Sequence, residues 1–178
     1  MISKQSWRLS LRAKLESLQI SNPAFKVAVL GIGHELRGDD AIGLLLANRL
    51  GSMAAGCDRI LAVETGPAPE NFTGMLRSFK PDLVVLVDAA FMDAEAGEIG
   101  WLSWQDTSGF SASTHTLPLH LLAAYITSEM GCEVTLIGIQ PATLNIGAEL
   151  TPEVRQAAEE INQVFIDAFN IETIYTKG

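Results

Sequence analysis

Two adjacent carboxylates, Asp39 and Asp40, a third, Asp88, and one imidazole, His115, are the side chains of this sequence best placed to do chemistry. Asp39 and Asp40 close the polar loop His34-Glu35-Leu36-Arg37-Gly38-Asp39-Asp40, just ahead of a helical stretch. Asp88 comes directly after Leu83-Val84-Val85-Leu86-Val87, where a buried carboxylate is costly without a partner. His115 lies in Ser113-Thr114-His115-Thr116-Leu117-Pro118, before another helical stretch. Singly, each has an ordinary reading: acids that cap a helix and favour its dipole, a loop hydrogen-bond acceptor, a surface histidine. Together they offer two carboxylates and one imidazole from separate loops, enough to hold a divalent cation and leave positions open for water or substrate. His34 is close enough in sequence to add a ligand or support one, whereas His120 sits inside a mostly apolar helical run.

Other chemistries fit less well. Gly31-x-Gly33 follows an apolar run, as a dinucleotide-binding loop would, but the third glycine of that fingerprint would fall on Leu36. Glu35, Asp39 and Asp40 would also meet a pyrophosphate with like charge. There is no Gly-Lys-Ser/Thr phosphate loop, no Gly-x-Ser-x-Gly elbow and no His-Glu-x-x-His segment. The two cysteines, Cys57 and Cys132, form no paired zinc motif and have no histidine partner in a motif. Both read as small packing residues.

The elements that must position these groups follow from the hydrophobic pattern. Val27–Leu30, Ile60–Val63, Leu83–Val87, Gly97–Trp104 and Val134–Ile139 read as strands, the fourth short and at an edge. Helical patterns separate them: from Asp40 onward, from Glu70 to Phe79, and from Leu117 to Met130. Gly51 and Gly56 are expected to bracket a turn. Thr151-Pro152-Glu153 is a helix start with Thr as the cap, and the helix should bury Val154, Ala158, Ile161, Phe165 and Ala168. Ahead of the first strand, Ser3–Leu18 has an amphipathic pattern through Trp7, Leu11, Leu15 and Leu18, ended by Asn22-Pro23. Packing on the domain's flank is its plain reading, docking to a partner its sharper one. Strands alternating with helices make the class α/β, with a largely parallel five-stranded sheet. The carboxylates then lie where ligands bind such sheets, beyond the strands' carboxyl ends.

The 178 residues suit a single domain, 1–178, with a helical extension over 1–23 and a core over 26–170. A hydrophobic content of 48% against 19% charged residues describes a chain that folds. The formal charge of −9 and the absence of a basic, aromatic-interleaved stripe argue against nucleic acid and favour a basic partner or a cation. No apolar run reaches membrane-spanning length and no signal-peptide core is visible, so a cytoplasmic location is expected.

Five segments, GIGHELRGDDAIG (31–43), ETGPAPEN (64–71), LVVLVDA (83–89), THTLPL (114–119) and GIQP (138–141), resemble the endopeptidases that mature nickel–iron hydrogenases, within them the type serving hydrogenase 3. They occur in the family's order over about 26–169. The resemblance implies a three-layer α/β/α, phosphorylase/hydrolase-like core and a metal-dependent, aspartic-type endopeptidase of the cytoplasm. Its partner would be a hydrogenase large-subunit precursor, whose C-terminal extension is removed after nickel insertion. By motif match Asp40, Asp88 and His115 would be the metal ligands, with Asp39 as a supporting carboxylate that orients or helps protonate. The nickel would be the precursor's own, so that the isolated protein need hold no metal. Two departures are Ala41, where many members have glycine, and His34, where asparagine is usual. Two other readings stay open: a non-catalytic metal-binding or chaperone-like module docking on the precursor, and a metallopeptidase of the same fold with another protein substrate.

Overall fold

In the computed structural model, which describes residues 6–106 and 117–171, the two most apolar runs become the middle of a five-stranded sheet. β1 (Val27–Ile32) and β3 (Leu83–Ala89) are buried at every position. Strands covered on both faces cannot alternate apolar with polar residues, which explains the unbroken hydrophobic runs Val27–Leu30 and Leu83–Val87. β2 (Ile60–Gly66), β5 (Glu133–Ile139) and β4 (Ile99–Leu102) complete the order β2-β1-β3-β5-β4. All pairings are parallel except β4 on β5, where Ile99 faces Ile139 at the edge expected for the short strand.

Alternate residues of the strands feed two separate cores. Val27, Val29, Val85, Val87, Ile137 and Ile139 pack under α1 (Ser6–Ser21), α2 (Ile42–Met53) and α5 (Pro152–Phe169). Ala28, Leu30, Val84, Leu86 and Leu136 pack under α3 (Thr73–Phe79) and α4 (Leu119–Met130). The result is the three-layer α/β/α arrangement expected from the sequence, its period-two strands serving both helix layers at once.

Boundaries shifted where local chemistry outweighed pattern. The helix expected from Asp40 begins as a single 3-10 turn, Gly38–Ala41, and becomes α2 only at Ile42. Gly51 does not bracket a turn: α2 runs on to Met53, and Gly51 sits inside it facing β2, where an added Cβ would lie 3.6 Å from the Ala62 carbonyl oxygen. Gly56, with φ of +91°, makes the turn alone. α3 is likewise preceded by a 3-10 turn, Pro69–Phe72.

The first helix packs on the flank. α1 buries Trp7, Leu11 and Leu15 in the core that α5 also covers. Its polar face pairs across the seam, Arg8 with Glu160 at 3.0 Å and Arg12 with Asp167 at 3.3 Å, while Lys14 reaches Glu133 at the start of β5. Exposed pairs of this kind add little, so the apolar stripe holds the helix. Among the described residues no helix is long and apolar enough to cross a membrane.

Candidate active site

Three glycines bring the first carboxylate loop onto the strand ends. A Cβ on Gly31 of β1 would sit 1.9 Å from the Gly43 carbonyl oxygen, and one on Gly43 of α2 would sit 2.3 Å from Ile32 O and 2.5 Å from Val87 O. The first turn of α2 therefore lies backbone-on-backbone against the ends of β1 and β3. Gly33 has φ of +143°, and its missing Cβ leaves room for the Asp40 carbonyl. The glycine pair that resembled a phosphate loop thus serves close packing of helix on strand. It sets the turn carrying Asp40 against the strand end carrying Asp88.

Both carboxylates are almost wholly buried, at 1% exposure each. Asp40 lies in the 3-10 turn, where its amide donates to the Arg37 carbonyl at 3.1 Å. Asp88 is the penultimate residue of β3, in register with Gly138 of β5. His115, and the stretch 107–116 around it, lie outside the described residues. Among the described residues no group of three or more His, Cys, Asp and Glu gathers that could hold a metal ion. The structure thus sets two of the three expected ligands, Asp40 and Asp88, at one sheet edge.

Asp39 points elsewhere. One carboxylate oxygen accepts the amides of Ala142 (2.8 Å) and Thr143 (3.1 Å), and the other accepts the Thr151 amide at 2.7 Å. The Thr151 hydroxyl reaches both oxygens, at 2.9 and 3.1 Å. Asp39's own amide donates to the Thr143 carbonyl at 2.9 Å. A fully buried carboxylate with this many donors fixes the long β5–α5 connection to the Asp40 turn. The Asp39 side chain thus orients a loop. The sequence had Thr151 as a helix cap, yet no side-chain capping bond forms at α5, because the hydroxyl is given to Asp39.

His34, considered as an extra ligand, is exposed on the outer loop, where its Nδ1 accepts the Leu36 amide at 3.2 Å. His120 is half-buried in the first turn of α4. Two positioning groups had no role in the sequence reading. Thr65, buried at the end of β2, donates its hydroxyl to the Gly31 carbonyl at 3.0 Å, and the Gly33 amide reaches Gly66 O at 3.2 Å. Gln140 accepts the Met92 amide at 2.7 Å and donates to the Pro141 carbonyl at 3.2 Å, pinning the segment after Asp88 to the end of β5. Both lie in segments, ETGPAPEN and GIQP, that stood out only by resemblance. A groove of about 520 Å³ elsewhere, lined by Leu15, Gln19, Val164 and Asp167 between α1 and α5, is remote from the carboxylates.

Comparison with known proteins agrees with this architecture. The sequence profile of the hydrogenase maturation protease family matches residues 45–168, a range that contains Asp88 and begins just after Asp40. The hydrogenase 3 maturation protease of Escherichia coli is 31% identical over 136 residues, covering 76% of this chain and 85% of its own. The crystal structure of a NiFe hydrogenase maturation protease from Thermococcus kodakarensis superposes with a TM-score of 0.74 at 35% identity, covering 82% of this chain and 92% of that one. A crystal structure of a hydrogenase 3 maturation protease gives a TM-score of 0.67 at 30% identity, over 79% and 88% of the two chains.

Proposed function

Because the chain belongs to the hydrogenase maturation protease family, we propose that it is a cytoplasmic endopeptidase that removes the C-terminal extension of a nickel–iron hydrogenase large-subunit precursor after nickel insertion. The observation that carries the reading is the pair Asp40 and Asp88, each 1% exposed, at the carboxyl edge of one sheet. Two carboxylates with the His115 imidazole are a donor set suited to nickel, for which imidazole is a good ligand. The nickel is the precursor's, and the protein would read it as part of its substrate. Bound there, such a cation polarises a scissile carbonyl or acidifies a water.

The chain's own residues set the rest. The glycine contacts and the Asp39 network hold the Asp40 turn in one position, so the carboxylates are preorganised before substrate arrives. Hydrolysis then adds water oxygen to the scissile carbonyl carbon and breaks the C–N bond. One proton of the water passes to the departing amine and the new carboxyl remains on the large subunit.

The test is incubation of the protein with nickel-loaded and nickel-free precursor, following release of the C-terminal peptide by mass spectrometry. Release from the nickel-loaded form alone is expected. Tight binding of the precursor without release would point instead to a non-catalytic docking module.

A further inference from the structure

Three large apolar side chains stand exposed on the loops beside the buried carboxylates. Leu36 (58% exposed) follows β1, Phe91 (54%) follows β3 and Ile146 (83%) follows β5. These strands are parallel neighbours, so the three loops leave the same edge of the sheet. The five other exposed large hydrophobics among the described residues, Leu9, Ile20, Met75, Leu121 and Tyr125, lie on helices.

The backbone under the three is fixed. The Gly147 amide donates to the Leu36 carbonyl at 2.8 Å, tying the Ile146 loop to the Leu36 loop. On either side of Phe91, the Ala90 amide donates to Ile139 O at 2.9 Å and the Met92 amide to Gln140 Oε1 at 2.7 Å. Ala90 and Met92 are buried while Phe91 between them is not, so Phe91 adds nothing to the core. Single exposed apolar residues are ordinary, but three from separate chain segments, on braced backbone at one edge, mark an interaction surface.

We propose that Leu36, Phe91 and Ile146 form the seat on which the substrate protein docks through an apolar patch beside its cleavable tail, an inference that rests on the proposed function. Asp40 and Asp88 lie at the edge from which these loops leave the sheet. A protein that delivers a chain segment to them must cover the loops leaving β1, β3 and β5. Among the described residues, the exposed large apolar side chains on those loops are these three. Apolar side chains on backbone already fixed in place cost less ordering entropy when a partner buries them.

The experiment measures KM and kcat for nickel-loaded precursor, and by calorimetry its Kd, for the full-length wild type, Leu36→Ser, Phe91→Ser, Ile146→Ser, the triple variant and Ile20→Ser. Ile20 lies on α1 at the opposite end of the sheet and serves as control. Each single change should raise KM and Kd by up to about tenfold, and the triple by about a hundredfold or more, with kcat held within about twofold. The control should match the wild type. Thermal melts verify folding, and a triple alanine variant replaces the serine one if that melts early. A triple variant that folds and keeps the wild-type KM and Kd overturns the seat while leaving the proteolytic reading intact. So does a wild-type dimer that the triple variant dissolves without a change in Kd, since the surface would then belong to a second copy. A wild type that binds precursor through these residues but releases no peptide keeps the seat and defeats the proteolytic reading.

Discussion

The carboxylate of Asp39 accepts both the amide and the hydroxyl of Thr151, 112 residues further along the chain. This contact joins the turn that carries Asp40 to the start of α5, and with the Ala142 and Thr143 amides it closes the floor of the site. Asp39→Asn would place an amide NH2 against donors that need an acceptor. The loss should be about 3 kcal/mol or more, the cost of leaving buried donors unsatisfied, read from denaturant unfolding. Thr151→Val removes one hydroxyl and should cost about 1 kcal/mol, while Thr151→Ser should sit near the wild type. In a double-mutant cycle the two positions should be strongly non-additive.

The glycines give a paired prediction. Gly31→Ala would drive a methyl into the Gly43 carbonyl, leaving no room short of lifting α2 off the sheet. A loss of about 3 kcal/mol or more is expected, enough to abolish folding in a marginal domain. Gly74, inside α3, has nothing within 4 Å of its missing Cβ and no positive φ. Gly74→Ala should therefore stabilise by about 0.4–1 kcal/mol. Thermal melts of the two variants check both signs at once.

Why one glycine was legible and another was not comes down to what a local pattern can carry. Runs such as Leu83–Val87 announce themselves because burial on both faces leaves no polar position, and flank packing was the plainer of two readings of the amphipathic stripe of α1. The reason for Gly31 is a helix turn that only the folded chain brings to it, whereas the sequence allowed only the rejection of a dinucleotide loop there. Asp40 and Asp88 were visible as acids at strand and helix ends. The difference between Asp39 and its neighbour was not, because the donors that occupy Asp39 lie more than 100 residues away. Thr151 was half legible for the same reason: it is the N-cap residue of α5 as expected, but its hydroxyl answers a distant carboxylate.

Near-isosteric neutralisation should separate chemistry from fold at the remaining pair. Asp40→Asn and Asp88→Asn keep the volume of buried side chains and remove the charge of a proposed ligand. Each should lower peptide release from nickel-loaded precursor by about a thousandfold, corresponding to about 4 kcal/mol of transition-state stabilisation. His115→Ala should do the same. Circular dichroism and melting temperature check that the folded state survives, which Asp39→Asn should fail.

The two cysteines should differ in reactivity and in pH response. Cys132 is buried ahead of β5, and burial, with a smaller push from the Asp82 charge, raises its thiol above the ordinary value of 9.0 despite a backbone hydrogen bond that acts the other way. Cys57 is only half-buried. Alkylation at pH 8 followed by peptide mapping should label Cys57 well before Cys132. A raised acid binds its proton more tightly in the native state, so its stabilising contribution is complete below pH 9 and is lost as pH climbs from there through the folded value. Cys132→Ala should flatten that alkaline decline in unfolding free energy.

The first helix offers a test of what holds it in place. Leu11 is fully buried between α1 and the core, whereas Arg12, just over one turn from Arg8, pairs with Asp167 in solvent. If the apolar stripe carries the helix, Leu11→Ala should cost about 2–5 kcal/mol by cavity formation. Arg12→Ala should cost under about 1 kcal/mol, because exposed ion pairs are screened and entropically expensive to order. Raising the salt concentration should shrink the Arg12 effect and leave that of Leu11 unchanged. Denaturant titrations at low and high salt measure both. Equal losses for the two variants would mean that the polar seam, with Arg8–Glu160 and Lys14–Glu133, holds α1 as strongly as its buried face.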